Sequence, residues 1–246
     1  MGADEADGAP SFLVRAPNWV GDAVMSLGAL REVRRIAAGG RLCVAARPWV
    51  AGIFEEAGVA DEVVPLEGGV ARDARAMRAR RADVAVLFPN SFASALAARL
   101  GGAGRVVGFA TDRRRLLLTD PVEVPPGARD EHQSRYYMHI AAGLERALAG
   151  VSAVDPSSPD TSLIARPETM ARGRAALAAA GVPDSSPVVV LNPGATNSRA
   201  KRWLPERFAV VGDRLAERLG AHVAIVGSPA ERETAERVAA LMRNPS

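Results

Sequence analysis

Short apolar runs without polar alternation recur along this chain, and nearly every one leads into a stretch with helical spacing. FLVRA (12–16) precedes a helical pattern that continues to about residue 37, and RLCVAA (41–46) precedes one near 48–57. DEVVPL (61–66) precedes an arginine-rich helix near 70–81, and DVAVLF (83–88) precedes SFASALAARL, after which comes RVVGF (105–109). Strands that are apolar at successive positions lie in a sheet covered on both faces, so the alternation predicts a doubly wound parallel sheet. A longer helix is expected over about 130–149, followed by the Ser/Pro/Asp-rich stretch VSAVDPSSPDTSL (151–163), which has linker composition.

A second series then repeats the architecture. A helix near 167–180 precedes PVVVLNPGA (187–195), and a helix over about 205–219 precedes AHVAIVGS (221–228) and a last helix near 229–242. The expected fold class is therefore α/β, with two Rossmann-like domains facing one another across a cleft. The first spans 11–150, a linker spans 151–165, and the second spans 166–246. Two strands bury little against their helices, because α/β sheets commonly have about 4–6 strands. The second domain is thus expected to be incomplete in this chain, as in a C-terminally truncated version of a longer protein.

Composition narrows the class without deciding it. The 246 residues are 48% hydrophobic and 24% charged, which is ordinary for a globular protein. Arginine replaces lysine almost everywhere, yet the formal net charge is only +3, so the total charge does not call for a nucleic-acid partner. The single cysteine, Cys43, excludes a disulfide framework and a cysteine-based metal set, as fits a reducing cytoplasm. The start, MGADEADGAP, is acidic rather than basic then apolar, so no secretory signal is expected. No apolar stretch approaches the roughly 18 residues that span a bilayer. The expectation is a cytoplasmic protein, at most peripheral at the inner membrane. His132 and His139 lie seven residues apart without a third ligand, so no metal site is predicted.

In open parallel sheets ligands bind beyond the carboxyl ends of the strands. Four segments fall there: 16–22, 89–94, 108–115 and 192–203. In APNWVGDAV, Asp22 falls in the first turn of a helix, where the macrodipole favours a carboxylate. It is either a helix cap or a general base for an incoming hydroxyl. Neither GxGxxG nor GxxxxGK[ST] occurs in this segment, so a dinucleotide dehydrogenase or a P-loop kinase has little support. In LNPGATNSRAKRWLPERF a strand ends in hydroxyl, amide and cationic groups ahead of a proline-started helix, a set suited to phosphate. The bland alternative is an exposed basic loop with Trp203 packing inward.

Together, APNWVGDAVMSLGAL, LFPNSFASALAARLGGAGRVVGFATDRRRLLLTD and NPGAT…AKRWLPERF followed by a strand ending VGS resemble glycosyltransferase family 9 over essentially all of 11–246. The likeness is to its inner-core heptosyltransferases. The resemblance implies a GT-B arrangement and an inverting, metal-independent and cofactor-free transfer of heptose from ADP-heptose to the lipopolysaccharide inner core. It makes Asp22 the general base and puts Lys201, Thr196 and Ser198 on the donor diphosphate. Asn18, Trp19, Asn90, Ser91 and Arg113 become candidates for the acceptor side. The family also carries a later TNDSG-then-His segment that helps bind the donor, and this chain ends before one. The donor site is therefore expected to be incomplete. A family member with another donor or acceptor, and a non-catalytic α/β binding module, stand as alternatives.

Two arginine clusters remain. Arg72, Arg75 and Arg78, with Arg80 and Arg81 beyond, read as a solvated helix face; the sharper alternative is an anionic acceptor or membrane surface. Arg113, Arg114 and Arg115 read chiefly as surface charge, with the anionic acceptor as the same alternative, favoured somewhat by their place near the sheet edge.

Overall fold

The computed structural model describes residues 8–195 and 199–243, and the chain divides into two compact units that part between Arg166 and Pro167. In the first unit β1 (Phe12–Arg15), β2 (Leu42–Ala46), β3 (Glu62–Pro65), β4 (Val84–Leu87), β5 (Arg105–Phe109) and β6 (Asp120–Val122) form one parallel sheet. Its order is β3-β2-β1-β4-β5-β6, so the winding direction reverses between β1 and β4. Val14 pairs in register with Val44 on one side and Val86 on the other.

Alternate residues of the same strands feed two cores, which explains why the runs are apolar throughout. Phe12, Val14, Val44, Val86 and Phe109 face α1 (Val20–Met25), α2 (Leu27–Ile36), α3 (Pro48–Ala57) and α6 (Gln133–Ala149), among Leu30, Phe54 and Ile140. Leu13, Cys43, Ala85 and Val106 face α4 (Val70–Arg78) and α5 (Phe92–Leu100), among Met77 and Ala98.

Three local details differ from the sequence pattern. The helix expected to continue to about 37 is two helices, broken at Ser26, whose Oγ donates to the Ala23 carbonyl at 2.8 Å. A serine bonded back into the preceding turn bends a helix in this way. Strand β6, unmarked in the apolar pattern, sits at the sheet edge, where the N–H that Pro121 lacks is least missed. Residues 151–166 belong to the first unit and lie along it. Glu145 of α6 accepts from Ser152 Oγ at 2.8 Å and from the Ala153 amide at 2.7 Å. Arg31 of α2 donates to the carbonyls of Asp160 and Ser162. Pro159 passes so close to Gly28 that a Cβ there would lie 3.1 Å from its ring.

The second unit contains α7 (Pro167–Ala179), β7 (Val188–Leu191), α8 (Pro205–Leu219), β8 (His222–Ile225) and α9 (Arg232–Leu241). β7 and β8 pair in parallel, Leu191 opposite Ile225. Its core is small: Leu191, Ala209, Val223, Val238 and Met242. Among the described residues no helix is long and apolar enough to cross a membrane.

Candidate functional site

The topology brings the end of β1 beside the end of β4, and the chain beyond each strand builds the site. After β1, the loop to α1 is pinned from two sides. Arg15 Nη2 donates to Asn18 Oδ1 at 2.6 Å, and Trp49 Nε1, from the first turn of α3, donates to the Asn18 carbonyl at 2.7 Å. Trp19, half exposed, occupies the N-cap position of α1 and makes no side-chain cap bond. Asp22 is the third residue of α1, so it is not the residue that caps this helix.

The half-buried carboxylate of Asp22 interacts with the hydroxyl of Tyr137 on α6, which also meets Gln133. Burial, and then the negative charge of Asp22, push the Tyr137 phenol well above its ordinary pKa, so it stays a hydrogen-bond donor to the carboxylate. The neighbouring Tyr136 hydroxyl accepts from Asn90 Nδ2 at 2.8 Å, just beyond β4. Asn90 Oδ1 is buried and has no partner among the described residues. The two tyrosines are the only ones in the chain, their ring centroids are 6.2 Å apart, and they stack against Phe88 and Phe109 at the ends of β4 and β5. Asp22 and Asn90 are thus linked through one aromatic pair.

On the other face of the sheet, the same edge encloses a cavity of about 270 Å³ lined by Arg15, Asn18, Arg47, Asp73, Ser91 and Ala93, among others. Arg47 grips Asp73 with both fork nitrogens at 3.0 Å, and the Gly68 amide also donates to that carboxylate at 3.0 Å. Ser91 caps α5, its Oγ accepting from the Ser94 amide at 3.3 Å. Arg15 is almost fully buried and, among the described residues, has no carboxylate in contact. Burial, and to a lesser degree the charge of Arg47, lower its pKa to about 10, while Asp73 partly offsets this.

The arginine run after β5 departs from the expectation of surface charge. Arg113 is exposed, with a left-handed φ of 57°, and is drawn into none of these contacts. Arg115, also exposed, pairs with Glu123. Arg114 between them is completely buried. It donates from Nε to the Phe109 carbonyl at 2.9 Å, and from Nη1 to the Pro89 carbonyl and to Ser94 Oγ at 3.3 Å. Burial lowers its pKa to about 10. Gly108 makes this possible, since a Cβ there would lie 3.1 Å from Arg114 Nη2. Arg114 therefore ties the loop that carries Asn90 and Ser91 to the end of β5.

Of the groups expected on a phosphate, Lys201 lies exposed in a single turn of 3₁₀ helix, while Thr196 and Ser198 fall outside the described residues. Trp203 does not pack inward: it is half exposed and meets Phe208 edge-on, centroids 5.5 Å apart. The two histidines of α6 are separately engaged. His132 caps that helix at the Ser134 amide, and His139 faces Glu131 at 3.3 Å. Arg75, Arg78 and Arg81 line a shallow depression with Gly101, Gly102 and Gly104 beside the amino ends of β4 and β5, on the side of the sheet away from Asp22.

A parallel sheet that reverses between β1 and β4, with a carboxylate just past the reversal, defines a Rossmann-like unit, and in such sheets ligands bind at this edge. Solved structures that resemble it include sugar transferases. The chain superposes on Escherichia coli ADP-heptose lipopolysaccharide heptosyltransferase II with a TM-score of 0.78, at 22% identity, covering 95% of this chain and 69% of that one. With E. coli heptosyltransferase WaaC bound to ADP-2-deoxy-2-fluoro heptose the TM-score is 0.67, at 18% identity, over 93% of this chain and 73% of that one. In sequence it is 27% identical over 242 residues to lipopolysaccharide heptosyltransferase 2 of E. coli K12, covering 94% of this chain and 67% of that protein. The model of glycosyltransferase family 9 (heptosyltransferase) matches residues 70–246, and the chain belongs to that family.

Proposed function

We propose that this glycosyltransferase moves a heptose from ADP-heptose to a sugar hydroxyl of the lipopolysaccharide inner core, with inversion at the anomeric carbon. The observation that carries the reading is Asp22: a half-exposed carboxylate in the first turn of α1, at the reversal of the sheet, held on one side by Tyr137. In the transfer the acceptor oxygen bonds to the anomeric carbon as the bond from that carbon to the ADP oxygen breaks. The acceptor proton passes to Asp22. Tyr137 fixes the carboxylate and leaves the remaining lone pairs for the acceptor. Lys201, with Thr196 and Ser198, offsets the charge of the departing diphosphate. In this reading residues 11–150 bind the acceptor and 166–246 contribute to the nucleotide-sugar site. Similarity to the two E. coli heptosyltransferases supports the donor, and the name of the E. coli K12 relative supports the acceptor.

The test is ADP release from ADP-heptose with a heptose-bearing inner-core acceptor, compared with release without acceptor and with other nucleotide sugars. Release that needs both ADP-heptose and the acceptor is the expected result. Equal turnover of another nucleotide sugar would point to a different family member. Lys201→Ala should raise the donor KM about tenfold, the size of one charge-assisted contact to phosphate.

A further inference from the structure

The cavity beside Asn18 holds more buried positive than negative charge. Arg47 is matched by Asp73, fork to carboxylate. Arg15 is not matched among the described residues: its guanidinium, 3% exposed, bonds there only to the Ala16 carbonyl and to Asn18 Oδ1, and Asp73 acts on it through space. Beyond the first turn of α5, Arg114 is likewise buried. It bonds only to carbonyl and hydroxyl oxygens, Asp112 acts on it through space, and Nη2 has no partner among the described residues. Two buried guanidinium groups therefore flank the start of a nine-residue helix.

That start is itself electropositive, because the first amides of a helix lack intrahelical acceptors. The Phe92 amide is taken by Asp112 Oδ2 at 3.0 Å and the Ser94 amide by Ser91 Oγ. The Ala93 amide has no acceptor among the described residues, and Ala93 lines the cavity. Burying a cation without a counter-charge is costly, and the outlay is recovered when an anion arrives. At about 270 Å³ the space holds an oxyanion together with part of the sugar that carries it.

We infer that this cavity is a subsite for an oxyanion of the acceptor, a carboxylate or a phosphate ester, seated between the Arg15 guanidinium and the first turn of α5. The inference rests on the reading of the chain as a heptosyltransferase whose acceptor binds at this edge. It explains why charged side chains end up inside the edge where a polar lining would suffice for a neutral sugar. The oxyanion anchors the acceptor on the α5 side of β1, leaving its hydroxyl to reach Asp22 on the other.

The test uses the whole chain and two probes, sodium glucuronate and inorganic phosphate, each against sodium chloride at equal ionic strength and against glucose. Thermal unfolding of the wild type should shift upward with at least one oxyanion and not with glucose. Ala93→Asp places a carboxylate at the second position of α5, where an acid favours the helix, so the variant keeps its fold while filling the subsite with its own charge. Its shift, and that of Arg15→Gln, should vanish. A shift with glucuronate alone assigns a carboxylate, and a shift with phosphate alone assigns a phosphate ester. No shift in the wild type, or an undiminished shift in Ala93→Asp, overturns the subsite. In turnover assays Ala93→Asp should raise the acceptor KM at least tenfold with the donor KM within about twofold, the pattern of a lost acceptor contact. An unchanged acceptor KM also overturns it. A chain that transfers no heptose sinks the functional reading, while the unfolding shifts, which need no donor, still judge the cavity.

Discussion

The two ends of the six-stranded sheet use arginine in opposite ways. At the amino ends of the strands, arginines meet acids. Arg41 and Arg80 share Glu62, Arg105 pairs with Asp120, and Arg35 holds Glu145 at 2.8 Å. Arg75, Arg78 and Arg81 beside them have no ion pair among the described residues and are exposed to water. At the carboxyl ends only Arg47 keeps such a partner, in Asp73, while Arg15 and Arg114 are buried and bonded to neutral oxygens, and the carboxylate of Asp22 faces a tyrosine instead of an arginine. Charge that is paired or solvated stabilises or solubilises a fold. Buried charge without a partner is kept at a cost and marks the end where ligands bind.

The largest expected effect in that contrast belongs to Asp22. Asp22→Ala should lower kcat by about 10²–10⁴, the range of a lost general base, read as ADP release under saturating substrates. Turnover of the same order as wild type would remove the carboxylate from the chemistry. Next is Arg114→Ala, which takes the guanidinium away from the Pro89 and Phe109 carbonyls and empties a buried volume. It should cost about 3 kcal/mol in denaturant unfolding, a fall of roughly 6–12 °C in Tm. A loss no larger than that of an exposed arginine would contradict its role as the tie between two loops.

A smaller effect separates the amino end by pH. The Arg35 guanidinium, with Ser152 and the Ala153 amide, holds Glu145 at about 2, below its ordinary 4.5. A depressed carboxylate contributes stability in full above its unfolded pKa and loses it as pH falls toward the folded one. Tm should therefore drop as pH falls from about 4.5 toward 2, and Glu145→Gln should flatten that part of the curve. Equal slopes would show that the ion pair does not hold the strap at 152–154. The smallest effects are expected at Arg75→Gln and Arg78→Gln: stability within about 0.5 kcal/mol, as for ordinary surface changes, and turnover within about twofold. A tenfold rise in acceptor KM from either would move the acceptor to the wrong end of the sheet.

Much of this was legible in the chain. Five of the six strands of the first unit announce themselves, because alternate residues serve two cores and leave no polar break. Asp22 stood out because a carboxylate after Gly21 interrupts an otherwise apolar transition from β1 to helix. β6 was hidden by Pro121, which argues against a strand except at an edge. Arg114 was hidden by its neighbours: three consecutive arginines look solvated, and only Gly108, six residues earlier, hints that one of them lies back over the sheet. Arg15 left a fainter signal, a single cation closing an apolar strand. Tyr136 and Tyr137 sit in a helix whose spacing shows burial but not which hydroxyl meets which partner. The segment 151–166 has linker composition, yet Gly28, Arg31 and Glu145 hold it along the first unit through contacts that no local pattern reports.

The account turns on Asp22 acting as a base and not merely favouring the start of its helix. Asp22→Asn keeps the size and the hydrogen-bonding reach toward Tyr137 while removing the basicity. Heptose transfer and thermal unfolding measured on the same preparation decide the matter. The expected result is a Tm within about 2 °C of wild type together with a loss of transfer of about 10² or more. Transfer retained above about a tenth of wild type would contradict the claim, and Asp22 would then be a residue of the helix and not of the reaction.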